Sequence, residues 1–194
     1  MALRTVLVCA LATAIAGESI RVEYKLTKLD NPGGIIYNGK KCDMTGKCDP
    51  RLSGYVDTEK ALNTWPGPKP LSQFTKIHED DDVDSPSIQK IVSRDICVGS
   101  TYTKANLRVD AVDKDLTGTD QMDQFECMSV GSFRDVKQSE QSATWSTERP
   151  CANKFQPDKV KLMYQFRAYK IPERECGRPV GSSKKAGGGY GTLA

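Results

Sequence analysis

The chain has 194 residues, with 28 basic and 25 acidic side chains, a single histidine and a formal net charge of +3. Such a balance supplies no electrostatic footprint for nucleic acid. Beyond the N-terminus no stretch is long and apolar enough to span a bilayer, which takes ~20 residues. The length suits one domain with a tail.

In chain order, Arg4 is followed by the twelve-residue run Thr5–Ala16, which is almost wholly apolar. It is too short to cross a membrane and apolar all round rather than striped, so it is not an amphipathic surface helix. A basic start, a short apolar core and a small-residue end form the layout of a secretory leader. Residues 1–16 are therefore expected to be cleaved and the mature protein to be secreted, extracellular. Cleavage after Ala16 leaves 178 residues with 27 basic against 25 acidic, because only Arg4 departs. No Asn-X-Ser/Thr acceptor is present. Of seven cysteines, Cys9 leaves with the leader. The six others, Cys42, Cys48, Cys97, Cys127, Cys151 and Cys176, predict three disulfides in an exported chain, with about 15 pairings open. Zinc is disfavoured: no two cysteines have CxxC spacing and His78 is the only histidine.

Strand signals dominate the rest of the chain. In Ser19–Leu26, Ile20, Val22, Tyr24 and Leu26 alternate with Arg21, Glu23 and Lys25, the period of a strand with one buried face. Further strands are predicted at Gly54–Thr58, Leu71–His78, Gln89–Cys97, Asn106–Val112, Gln124–Val130, Ala143–Thr147 and Lys159–Tyr169. The last carries Val160, Leu162, Tyr164, Phe166 and Ala168 on one face. Trp65–Pro70 holds three prolines in six residues and is expected to be a loop. Residues 177–194 are small, polar and glycine-rich, the composition of a flexible tail. About eight short strands punctuated by turn residues define an all-β, antiparallel sandwich.

Aspartates gather in two segments at strand ends. The first is Asp43-Met-Thr-Gly46-Lys-Cys48-Asp49-Pro50, where a glycine between two carboxylates permits a reversal that brings them together. The second is Val112-Asp113-Lys-Asp115-Leu-Thr-Gly-Thr-Asp120, directly after a predicted strand. Asp113 and Asp115, two apart, project the same way, and Gly118 lets the chain bring Asp120 back. Converging carboxylates suit a hard cation such as Ca²⁺, which takes 6–8 oxygen ligands. Either loop alone is also ordinary turn chemistry.

DMTGKCDP resembles the first calcium loop of C2 domains, D-x-x-G-x-S-D-P-Y, and VDKDLTGTD resembles their third. Both occur in the family's order, and the resemblance spans Ser19 to Ile171. It implies an eight-stranded Greek-key sandwich that binds Ca²⁺ between loops at one end. The first loop follows the first strand and a long strand closes the chain, which is similar to the circularly permuted topology of the family. By the motif match, Asp43 and Asp49 are first-loop ligands, and Asp113, Asp115 and Asp120 third-loop ligands. Cys48 stands where the motif has serine, Arg51 where it has an aromatic, and Gln121 at a position often acidic, so the last ligand role falls to Asp120 or Asp123. Cys42 and Cys48 bracket the first loop, and a bridge between them would pre-form it. A looser resemblance links IRVEYKLTKLDNPGG and YQFRAYKIPERECG to the amino-terminal module of Notch ligands, itself a C2-like sandwich.

The acidic run Glu79–Asp84 reads first as a solvated loop, with a ligand role if it folds to the calcium end. Trp65 and Trp145 read as packing residues, and His78 carries no assigned chemistry. The sequence offers no nucleophile–base pair and no phosphate loop. The function expected is a non-catalytic, secreted calcium-binding module that meets anionic lipid headgroups or an extracellular partner. The alternative is an extracellular-matrix or mineral-associated protein built on the same scaffold.

Overall fold

The alternation at the N-terminus forms β1 (Ser19–Asp30), and the alternation at the other end forms β9 (Lys161–Ile171). The two pair antiparallel along their whole length, from Ser19 opposite Ile171 to Asp30 opposite Lys161. Between them lie β2 (Pro50–Asp57), β3 (Thr75–Glu79), β4 (Ser87–Ile96), β5 (Asn106–Lys114), β6 (Thr119–Met128), β7 (Arg149–Pro150) and β8 (Ala152–Asn153). This computed structural model describes residues 18–98, 103–116, 118–129 and 135–178. The expected leader and residues 179–194 of the expected tail lie outside the described residues.

The strands make two antiparallel sheets, β4-β1-β9-β7 and β3-β2-β5-β6-β8. Their facing sides bury Val22, Tyr24, Leu26, Leu162 and Tyr164 against Leu52, Leu107, Val109, Ala111 and Phe125. Each of the Val, Leu and Phe side chains among them contributes ~1.5–3 kcal/mol relative to exposure. The Tyr24 ring packs against Phe166 at 5.2 Å and Tyr164 at 5.9 Å between centroids. Strands β7 and β8 are two halves of one segment that changes sheets: Arg149–Pro150 pairs with β9 and Ala152–Asn153 with β6. Between them sits Cys151, bonded to Cys127 of β6. Counted as one switching strand, the pair completes an eight-stranded sandwich. The other disulfides are Cys42–Cys48 and Cys97–Cys176.

The outward positions of β1 are not all wet. Arg21 and Glu23 are buried, because the segment after Asp135 and the turn Glu173–Glu175 fold over this end of the sheet. Ala143, Tyr169 and Ile171 form a small satellite cluster there, with Cys176 packed on it. Arg21 makes a two-pronged bond to Asp95 at 2.7 and 2.8 Å, and Glu23 accepts from Arg167 at 2.6 Å and from the Tyr169 hydroxyl at 3.0 Å. The first residues of the expected tail are anchored here too: the Gly177 amide donates to Asp95 at 2.9 Å, and the Arg178 carbonyl accepts from Arg21 at 3.2 Å.

Two predicted strands need correction. Ala143–Thr147 is not a strand, although it runs beside β9. The Ser146 amide donates to the Phe166 carbonyl at 2.8 Å, but the Phe166 amide donates to the Ser146 hydroxyl at 2.9 Å. A side chain thus occupies a ladder position that backbone would need. Leu71–His78 begins as a 3-10 turn, Leu71–Gln73, and becomes a strand only at Thr75. The prolines before it supply no ladder donors. Trp65 does pack, edge-on against Phe74 at 5.8 Å, and Arg167 lies over the Trp145 ring at 4.5 Å.

Candidate metal centre

The two aspartate segments meet at the end of the sandwich where β1 leaves its sheet. Buried Asn31 shapes the first turn: its carboxamide donates to the Ile35 carbonyl at 3.0 Å and accepts from the Ile35 amide at 3.1 Å. The chain then reverses at Gly46, whose φ of +111° suits glycine, and enters β2. In the β2–β5 register Pro50 lies opposite Asp113. The Asp49 amide donates to Asp113 Oδ1 at 2.6 Å, and the Lys114 amide returns to the Asp49 carbonyl at 3.0 Å. The first segment is thereby fastened to the second.

The acidic run closes over both, which revises the reading of Glu79–Asp84 as a solvated loop. The Asp80 amide donates to the Pro50 carbonyl at 3.1 Å and the Val83 amide to the Cys48 carbonyl at 2.8 Å. In return, Asp82 Oδ1 accepts from the Lys47 amide at 2.9 Å and Asp84 Oδ1 from the Cys48 amide at 3.0 Å. Asp49 Oδ1 accepts from the Asp82 amide. Asp80, Asp81 and Asp82 still present exposed edges to water.

Within this frame Asp43, Asp113 and Asp115 bring carboxylate oxygens within 4.8 Å of one another. Asp113 is fully buried, and its Oδ2 has no hydrogen-bond partner. An unsatisfied buried carboxylate oxygen is costly unless a cation completes it. Burial, followed by the charges of Asp43, Asp115 and Asp49, pushes the Asp113 carboxyl up to about 6 despite the Asp49 amide. Asp43 is also raised, first by desolvation and then by Asp115, Asp49, Asp82 and Asp84. An oxygen-only, negatively charged cluster with an orphaned acceptor fits a hard divalent cation. The Cys42 and Cys48 sulfurs lie within 4.8 Å of Asp113, but they are tied in a disulfide and supply no thiolate.

The remaining sequence candidates separate. Asp49 touches the cluster through its backbone and through the acidic run. Asp120 lies opposite Asp113 in the β5–β6 register and is exposed, outside the three-carboxylate group. Asp123, the alternative to Asp120, is a structural carboxylate. It is fully buried and accepts from the amides of Gln124, Lys154, Phe155 and Gln156 at 2.7–3.0 Å and from the Asn153 carboxamide at 2.8 Å. It holds the segment after β8 onto β6. Asp123→Asn replaces an acceptor by a donor against Asn153 and Gln156, and about 1.5 kcal/mol of stability is expected to be lost. Urea unfolding reads this, and calcium affinity should not change.

No protein-family model matches the chain, and no curated protein matches it. Among solved structures it is similar to a C2 domain protein from Ramazzottius varieornatus, with 34% identity over 85% of this chain and 95% of that one, at a TM-score of 0.75. The chain belongs to the C2 domain family. The human GIVD cytosolic phospholipase A2 shares the fold alone, at 13% identity and a TM-score of 0.50, over 80% of this chain and 17% of the enzyme. A Drosophila C2-DSL-EGF1 structure matches over 77% of this chain and 67% of that one at 15% identity and a TM-score of 0.45.

Proposed function

We propose that this protein is a secreted, non-catalytic C2 module that binds Ca²⁺ through Asp43, Asp113 and Asp115 and uses the loaded end to meet a membrane surface. The observation that carries the reading is the buried, unpartnered Asp113 oxygen among converging carboxylates. The three disulfides are consistent with an oxidising, extracellular setting. A bound cation would cancel the repulsion among the carboxylates and leave coordination positions for the oxygens of anionic lipid headgroups.

The loop tips favour a membrane over a purely protein partner. Met44 and Leu116 are fully exposed, at 103% and 106%, and each is the direct neighbour of a cluster carboxylate, Asp43 or Asp115. Large apolar side chains standing free on both sides of a charged site suit insertion among lipid tails once the charge is neutralised.

Calorimetric calcium titration tests the reading. Saturable binding with Kd ~10⁻⁴–10⁻³ M, the range of extracellular modules, is expected. The variant with Asp113→Asn and Asp115→Asn should show none. Sedimentation with phosphatidylserine vesicles should be calcium-dependent and weakened by Met44→Ser with Leu116→Ser. Wild-type protein that binds no calcium would overturn the reading and favour a matrix or mineral-contact role.

A further inference from the structure

We propose that the Cys42–Cys48 disulfide is the positioning element that sets the cation affinity of this end of the sandwich. The inference rests on the calcium reading for its affinity consequence, while its structural half stands apart from it.

The bridge joins the two residues that immediately precede the first-loop carboxylates, Asp43 and Asp49. Fixing Cys42 and Cys48 therefore fixes the backbone from which both carboxylates hang. Cys48 is itself immobilised. It is fully buried, its amide donates to Asp84, its carbonyl accepts from Val83, and its sulfur accepts from the Asn31 carboxamide at 3.7 Å. Cys42 has a different anchor: beyond its sulfur, its amide donates to the Gly34 carbonyl at 2.9 Å. Residues 43–47 between them are held by one side-chain contact, that of Lys47 with Asp82, and Met44, Thr45 and Gly46 are exposed. Without the covalent tie, Asp43 would ride on a loop whose two ends are held only by noncovalent contacts with the Asn31–Gly34 turn and the acidic run. Ordering such a loop at the moment of binding lowers affinity, and closing it beforehand removes that cost.

The sulfurs have a second effect. Both lie within 4.8 Å of the Asp113 carboxylate, the group whose Oδ2 is buried without a partner. Low-polarity sulfur in that place excludes water from one side of Asp113. The carboxylate is kept poorly solvated and therefore receptive to a cation. Among the three disulfides only this one touches the cluster. Cys97–Cys176 closes the opposite end, beyond Ile96 and Ile171, where β1 begins, and Cys127–Cys151 sits between β6 and the switching segment.

The test uses two variants of the full mature protein. Cys42→Ser with Cys48→Val opens the bridge while keeping an apolar side chain at the buried position, and Cys97→Ser with Cys176→Ser opens the bridge at the far end. Calorimetric calcium Kd should weaken at least tenfold in the first and stay within twofold of wild type in the second. Equal affinities in wild type and the first variant would overturn the proposal. A second readout does not depend on calcium. The amides of Lys47, Cys48 and Asp49 all donate within the loop frame, so their hydrogen exchange in EGTA should accelerate at least tenfold in the first variant only. No calcium binding by wild type, together with this acceleration in the first variant, would reject the calcium reading and keep the structural half. Unchanged exchange would reject the positioning role itself. A first variant that loses protection throughout β1 and β9 as well would also overturn it, because the bridge would then hold the fold rather than the loop.

Discussion

Arg108→Ala is expected to cost about 3–5 kcal/mol of stability, the scale found when one member of a buried charge pair is removed. Arg108 lies on β5 with no solvent exposure. Its Nε faces Asp57 Oδ2 at 3.3 Å, and Nη1 donates to Glu126. Nη2 donates to the Asn63 carbonyl at 2.7 Å, with the Ala61 and Lys60 carbonyls at 3.3 and 3.4 Å. The guanidinium thus neutralises a buried aspartate and also satisfies the carbonyls of the turn after β2. The Ala61 carbonyl also accepts from the Asn106 carboxamide at 3.2 Å, and Asp57 uses its other oxygen to hold the Lys60 and Glu59 amides of the same turn at 2.9 and 3.2 Å. Alanine leaves Asp57 buried with its charge uncompensated. Gly67, at a φ of +82°, brings the proline-rich loop against this same guanidinium and the Tyr55 hydroxyl, so the loss should extend to that loop. Guanidinium chloride unfolding measures the effect, and a loss under 1 kcal/mol would refute the account. Lysine should recover only part of it, because an ammonium cannot face Asp57, Glu126 and three carbonyls at once. Calcium affinity should be unaffected, since Arg108 lies towards the end of β5 opposite Asp113.

The parts of this fold that periodicity reveals are the parts where one side chain in two is buried. β1 and β9 alternate over many residues, and the structure pairs them with the core face inward. The limit of that signal is visible on β1 itself, where Arg21 and Glu23 look outward in sequence and are buried in fact, because a distant segment covers them. No local pattern encodes a cover supplied from 110 residues or more away. Ala143–Thr147 failed for a related reason: Ser146 imitates the ladder with its hydroxyl, and sequence alone does not distinguish a strand from a segment lying alongside one. The candidate site was legible as two aspartate loops because glycine, proline and carboxylates are informative within a few positions. What sequence left unresolved was the use of each carboxylate. Asp82, Asp84 and Asp123 spend oxygens on backbone amides, and backbone donors carry no residue signature. Asp113 also spends one oxygen on an amide, that of Asp49, but differs in that its other oxygen is buried without a partner, a fact of three-dimensional register between β2 and β5.

That difference gives the calcium-free protein an inverted pH response at one residue. The Asp113 carboxyl has an ordinary value of 3.8 and is held up to about 6 in the folded state. Between those values the native state binds more protons than the unfolded chain, so the contribution of Asp113 to stability falls as pH rises through the window. It is fully present below pH 3.8 and fully lost above pH 6. A shift of that size corresponds to ~3 kcal/mol at 1.36 kcal/mol per unit, and ~2 kcal/mol is expected after discounting for solvent reaching the open side of the site. Carboxylates held low, such as Glu79 beside Lys114 and Lys76, run the other way. The informative quantity is therefore the difference between wild type and Asp113→Asn. In EGTA the variant should be ~2 kcal/mol more stable than wild type at pH 7.5, with the gap closing by pH 4 in urea unfolding. Saturating calcium should reverse the order at pH 7.5, because only wild type gains binding energy, ~2.7 kcal/mol at a hundredfold excess over Kd. A variant equal to wild type in EGTA at both pH values would mean that Asp113 finds solvent or a partner after all. The case for a cation at its Oδ2 would then fall with it. Destabilisation without ligand and stabilisation with it is the behaviour of a carboxylate placed for binding rather than for folding.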